Sequence, residues 1–262
     1  DSRQMSELPK GDTKWFVDDR FGMFIHWGTY ALAARHEWVK QREEIPDDVY
    51  QKYFKHFDGM IPPETHVVLA MVAAPFLEAL PPYVLVVNPE TMTKSIDYTD
   101  RNNAVLFGDG AAATIVSSKI PGRVVVSNCG FDSRPSDWRK VGIDWDWKFH
   151  QDGNAIQGFA IRKTTEYLKR LQNVAGAAAG RLIFIGHQAN LMMLKNVSER
   201  TGIDPGHHWY NVDQFGNTGC CSAPTVLSRH WDELRRGDRV AMVIVGAGLS
   251  WTHTMLKVEG DK

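Results

Sequence analysis

Three strongly apolar runs constrain this chain most: Tyr83-Val-Leu-Val-Val87, Arg181-Leu-Ile-Phe-Ile185 and residues 239–245, the last two each opened by an Arg. A strand with one wet face alternates polar and apolar residues; a continuous run reads as a strand buried on both faces. Such strands need a covering layer on each side, and helical patterns lie between them. Residues 154–174 carry Ile156, Phe159, Ala160, Tyr167, Leu168 and Leu171 at helical spacing, and residues 190–201 form a second helix that Gly202 and Pro205 end. Residues 222–234 read as a third helix, Trp209-Tyr-Asn-Val212 as a short strand, and residues 251–258 as a strand pairing back on 239–245. Alternating strand and helix with a closing hairpin implies a layered α/β domain with a mixed sheet. Residues 111–118 and 123–127 read as two more strands, and the Pro121-Gly122 turn between them predicts a hairpin.

The chain changes character at Gly59-Met-Ile-Pro-Pro-Glu-Thr-His66, where Gly and a Pro pair mark a break. Before it lies an aromatic, charged segment, with a strand at 21–26 and a helix at 43–57; after it, residues 67–80 suit a helix. The 262 residues carry a net charge of −1, so no global field draws in nucleic acid or an anionic membrane. No apolar run approaches the roughly 18 residues of a membrane span. Cys129, Cys220 and Cys221 form no disulfide framework and no zinc motif, which points to a reducing, cytoplasmic setting. The adjacent His207 and His208 read as exposed loop residues, and Asp144-Trp-Asp-Trp147 as surface-loop packing.

Three glycine-containing loops follow strands in the last eighty residues: Gly186-His-Gln-Ala-Asn190, Phe215-Gly-Asn-Thr218 and Gly246-Ala-Gly-Leu249. Polar groups at strand ends of an open α/β sheet face a common crevice. His187, Asn217 and the Gly248 N–H are therefore expected to converge. An imidazole, a carboxamide and a main-chain N–H aimed at one point stabilise a developing oxyanion or enolate.

The ordered set formed by His187-Gln-Ala-Asn190, Gly216-Asn-Thr218 and Gly246-Ala-Gly-Leu-Ser-Trp251, preceded by Asp97-Tyr-Thr-Asp-Arg101, Phe107-Gly-Asp-Gly-Ala111 and Gly153-Asn154, resembles the ketoacyl-acyl carrier protein synthase III family. The resemblance implies the C-terminal half of a thiolase-like fold, with a layered mixed sheet and flanking helices. It implies that His187 and Asn217 are catalytic and that Gly248 belongs to an oxyanion hole. Its substrates would be acyl-CoA or acyl carrier protein thioesters, its assembly a homodimer, and no cofactor or metal is implied. Two departures stand out. The stretch matching the family's nucleophile, residues 60–75, holds no cysteine, and Met192 replaces an Arg that helps dock the carrier. Condensation is therefore expected to be impaired; Cys220, at a helix start, reads first as buried small-residue packing, with a substitute thiol as the alternative.

The segment before the break resembles something else. Trp15-Phe16, Phe21-Gly-Met-Phe-Ile-His-Trp-Gly28 and His36-Glu-Trp38 are similar to the N-terminal end of family 29 α-L-fucosidases over residues 13–58. That resemblance implies a sugar pocket with His26, Glu37 and Trp38. A (β/α) barrel needs about 250 residues, which the rest of the chain does not provide. The expected organisation is a fucosidase-like segment at 1–60, a join at 61–82 and a synthase-like domain at 83–262. A non-catalytic hybrid of two families is the third reading.

Overall fold

The computed structural model describes residues 46, 48, 49, 84–117, 119–143, 148–176 and 180–260. The strand expected at 21–26, the helix at 67–80, most of the helix at 43–57, the sugar-pocket candidates His26, Glu37 and Trp38, and the Asp144–Trp147 cluster lie outside these residues.

A four-stranded sheet in the order β3-β8-β7-β6 organises the molecule: β3 (Val124–Ser133), β6 (Leu182–Gly186), β7 (Arg239–Gly246) and β8 (Ser250–Val258). β6 and β7 run parallel, while β7–β8 and β8–β3 are antiparallel. The sheet is mixed, as the sequence pattern implies. Successive side chains on a strand point to opposite faces, and the core divides accordingly. Phe184, Ala241, Val243, Val245, Trp251 and Met255 face one layer; Ile183, Ile185, Val240, Met242, Ile244, Leu256 and Val258 face the other.

Helices cover both layers. The first is closed by α2 (Gly153–Ala175), which buries Phe159, Ala160, Tyr167, Leu168 and Leu171, and by α3 (Leu191–Thr201), which buries Met193, Leu194 and Val197. The second is closed by α5 (Ser222–Arg229) through Ala223 and Val226. Burying a side chain such as Leu168, fully enclosed here, stabilises by about 1.5–3 kcal/mol before its entropy cost. The caps hold as the composition suggests. Asp152 accepts from Ala155 N (3.2 Å), Asn190 accepts from Met193 N (3.1 Å), and Gly202 ends α3 in the left-handed region at φ 67°. At the entrance to the parallel pair, Asp238 accepts from Arg181 Nε at 3.1 Å and from Arg235 N at 2.8 Å. Burial raises the Asp238 pKa, but the hydrogen bonds from Arg181 and Arg235 outweigh it and hold the carboxyl below its usual range.

Two small antiparallel pairs flank this body. β1 (Val84–Thr91) pairs with β2 (Asp109–Val116) along its full length, and β4 (Val141–Ile143) pairs with β5 (Phe149–Gln151). Between β1 and β2, Asp100 caps the one-turn α1 (Arg101–Ala104) and also accepts from Asn103 Nδ2.

Several local expectations are corrected. The strands at 111–118 and 123–127 form no hairpin: β2 pairs with β1, and β3 pairs with β8, more than a hundred residues on. The run from Tyr83 is not buried on both faces, because Leu85 and Val87 are exposed while Asn88 is enclosed. Residues 209–212 make no strand; a single bridge joins His208 to Phe184, and Val212 opens the short α4 (Val212–Phe215). The helix expected over 222–234 ends at Arg229, followed by a 3-10 turn at Trp231–Glu233. His208 is buried, not exposed, and stacks on Phe184 with centroids 5.1 Å apart.

Candidate functional site

His187 leaves the end of β6, where its N–H donates to Val243 O of β7 (3.1 Å). The next residue fixes this bend. Gln188 is fully enclosed; its Nε2 donates to Gly186 O (2.7 Å), and its Oε1 accepts from Asn211 N (3.0 Å) and Val212 N (3.3 Å). Those two N–H groups open α4, and the chain leaves α4 through Gly216 into Asn217. Gly186 is needed beneath the bend, since a Cβ there would lie 2.4 Å from a Leu194 methyl.

Asn217 is held against the loop that leads into β2. Its N–H donates to Leu106 O (2.8 Å), its carbonyl accepts from Gly108 N (3.1 Å), and its Oδ1 accepts from Gly219 N (3.0 Å). With the carboxamide oxygen engaged in the turn, Nδ2 is the donor end left to face a ligand. The Phe107-Gly-Asp-Gly-Ala111 motif serves this seating. A Cβ on Gly108 would meet Phe215 O at 2.3 Å, and one on Gly110 would meet Cys221 Sγ at 2.8 Å. Asp109 meanwhile accepts from Thr93 N (2.9 Å) and Thr93 Oγ1 (2.6 Å), which lowers its pKa.

His187 and Asn217 line one cavity of about 460 Å³, walled by β1, the loop between α1 and β2, β4, β5, α2, α3 and the outlets of β6 and β7. Apolar side chains dominate, among them Leu106, Phe107, Ile143, Phe149, Ile156 and Met193. Gly246 and Ala247 reach the wall, whereas Gly248, expected beside the two side chains, is not among the lining residues. Burial pushes the His187 pKa down to about 4, so its imidazole is neutral at physiological pH. A neutral ring with one N–H is a hydrogen-bond donor to a carbonyl oxygen rather than a standing charge.

Sequence reasoning missed the roles of Gln188 and Glu90. Gln188 lies inside a quoted motif, yet nothing local reveals that its partners are twenty-three residues on. Glu90 lies at the end of β1 and lines the cavity. Its Oε2 accepts from Cys220 N at 3.4 Å and its Oε1 from Thr91 N at 3.2 Å. Cys220 also lines the cavity, and no disulfide joins Cys129, Cys220 and Cys221. Among the described residues no group of three or more His, Cys, Asp or Glu side chains is placed to hold a metal ion, and no helix is long and apolar enough to cross a membrane.

A mixed sheet layered by helices, with a histidine from the outlet of β6 and an asparagine from the turn after α4 lining one apolar cavity, defines a thiolase-like α/β fold. Solved structures agree. The synthase III of Aquifex aeolicus superposes with a TM-score of 0.68 at 25% identity, covering 75% of this chain and 65% of that one. The priming β-ketosynthase of the R1128 polyketide pathway superposes at 0.66 and 23% identity, covering 92% and 74%. Residues 67–133 match the model of 3-oxoacyl-[acyl-carrier-protein] synthase III, and residues 182–258 match that of its C-terminal part. The beta-ketoacyl-[acyl-carrier-protein] synthases III of Staphylococcus haemolyticus and Clostridium tetani are 33% identical over 178 residues and 29% identical over 197. Each alignment takes in 66% of this chain, but the chain spans only 56% and 59% of those proteins. Residues 3–65 match the α-L-fucosidase model. The chain thus resembles the 3-oxoacyl-[acyl-carrier-protein] synthase III family over residues 67–133 and 182–258 and the fucosidases over residues 3–65.

Proposed function

We propose that this protein performs acyl-transfer or condensation chemistry on CoA or acyl carrier protein thioesters. The observation that carries this reading is that His187 and Asn217 line one apolar cavity. In it, the His187 ring N–H and the Asn217 Nδ2–H₂ donate to a thioester carbonyl oxygen. When a malonyl thioester loses CO₂, negative charge gathers on that oxygen as the enolate forms, and fixed donors there contribute on the order of 3 kcal/mol each. Gly248 would act from the backbone of its turn, behind Gly246 and Ala247. The missing cysteine in residues 60–75 would leave decarboxylation as the partial reaction least affected and slow the full condensation. Met192, 69% exposed on α3, offers no charge to a carrier protein, which favours CoA thioesters. The lack of a disulfide among the three cysteines suits a cytoplasmic setting, and the exposed Leu85, Val87 and Ile115 suit a homodimer.

The direct test is CO₂ release from malonyl-CoA by the full chain. His187→Ala is expected to lower the rate about 100-fold, and an unchanged rate would remove the proposal.

The fucosidase match over residues 3–65 favours a second reading, an α-L-fucosidase-type hydrolase or sugar binder built on His26, Glu37 and Trp38. It requires turnover of a nitrophenyl fucoside or saturable fucose binding, and neither at millimolar sugar would end it. A non-catalytic hybrid would show neither activity.

A further inference from the structure

The cavity that holds His187 and Asn217 contains a thiol and a carboxylate of its own. Cys220 and Glu90 both line it, from different parts of the chain: Cys220 from the 3-10 turn Gly219–Cys221 and Glu90 from β1. The carboxylate meets Cys220 through the backbone: Glu90 Oε2 accepts from Cys220 N at 3.4 Å. Glu90 also lies close enough over the turn that a Cβ on Gly219 would be 2.4 Å from its Oε2. Cys220 Sγ donates to Pro89 O at 3.7 Å, beside the residue that bears the carboxylate. Among the described lining residues Cys220 is the one thiol and Glu90 the one carboxylate. Each Glu90 oxygen keeps acceptor capacity beyond the one hydrogen bond described for it. Cys220 directly follows Gly219, whose N–H donates to Asn217 Oδ1 at 3.0 Å, so the thiol and the carboxamide belong to one bend.

We propose that Cys220 is the acyl-accepting nucleophile of this cavity, with Glu90 as its base. This rests on the acyl-transfer reading above. Glu90 takes the Cys220 thiol proton, and the thiolate attacks the carbonyl carbon of an acyl-CoA. The oxygen charge is held by His187 and Asn217. The C–S bond to CoA then breaks, and the departing thiolate recovers the proton from Glu90. The products are S-acyl-Cys220 and free CoA, with no oxidant or reductant needed. A thiolate is the reactive form, and a neighbouring base supplies it.

The test is intact-mass analysis of the full chain after incubation with acetyl-CoA or octanoyl-CoA at neutral pH, followed by peptide mapping. The expected result is one hydroxylamine-labile acyl group on Cys220, retained in Cys129→Ala and absent in Cys220→Ser. Glu90→Gln should slow labelling at least about tenfold and regain rate at high pH, where solvent removes the proton; a purely structural Glu90 would show no such recovery. No adduct, or an adduct on Cys129 or Cys221, overturns the proposal. Malonyl-CoA decarboxylation separates the two failures. If CO₂ release depends on His187 but no acyl group reaches Cys220, only the nucleophile assignment falls. If neither occurs, the acyl-transfer reading falls with it.

Discussion

The β6–β7–β8 body and the β1–β2 pair are built from similar apolar residues but use them differently. In β7, residues 240–245 are at most 9% exposed, because α2 and α3 cover one face and α5 the other. In the β1–β2 pair, Leu85 lies opposite Ile115 and Val87 opposite Ala113, yet Leu85, Val87 and Ile115 are 45%, 55% and 59% exposed. An apolar run therefore specifies a strand but not what covers it. Stability is concentrated where layers close, and the β1–β2 pair contributes chiefly by seating the Asn217 turn through Gly108 and Gly110.

The largest test of this contrast is Phe184→Ala. Phe184 is fully enclosed and packs against His208, so its truncation should cost about 3–5 kcal/mol by chemical denaturation. A cost under about 1 kcal/mol would place the stable core elsewhere.

The next test is pH. Burial, reinforced by Lys195, holds His208 at about 4, below its unfolded value of 6.5. Above that unfolded value both states are neutral. As pH falls from 6.5 toward 4, the unfolded chain binds a proton that the folded chain refuses, so stability is lost. The loss should be on the order of 2–3 kcal/mol between pH 7 and pH 4.5. Comparing urea midpoints of the wild type and His208→Phe isolates this share, since the variant cannot titrate there. His187 and His253, also lowered by burial, contribute in the same direction.

The smallest expected effect is Val87→Thr, which should shift stability by no more than about 0.5 kcal/mol and reduce self-association measured by light scattering. A large destabilisation would show that this face is covered in solution.

The body was legible in the sequence for a physical reason. Residues 181–185 and 239–245 need no distant partner to be recognised as buried strands, and Asn190 and Gly202 bracket α3 with caps whose chemistry is local. The pairing of β1–β2 and β3–β8 was not legible. Pro121-Gly122 is a genuine turn signal, yet a turn fixes a reversal of direction and not the strand that becomes the neighbour. For the site, three glycine-flanked bends pointed to His187 and Asn217. Glu90 carried no such mark, because its importance comes from lying across from a turn some 130 residues later.

Gln188 gives this arrangement a mechanical consequence. One amide side chain grips the outlet of β6 with its nitrogen and the opening of α4 with its oxygen. The imidazole on one side and the carboxamide on the other are thereby geared together. A ligand that tugs on either should be felt at both, and shortening this tether, as in Gln188→Ala, would let the two drift out of step without touching the ligand at all.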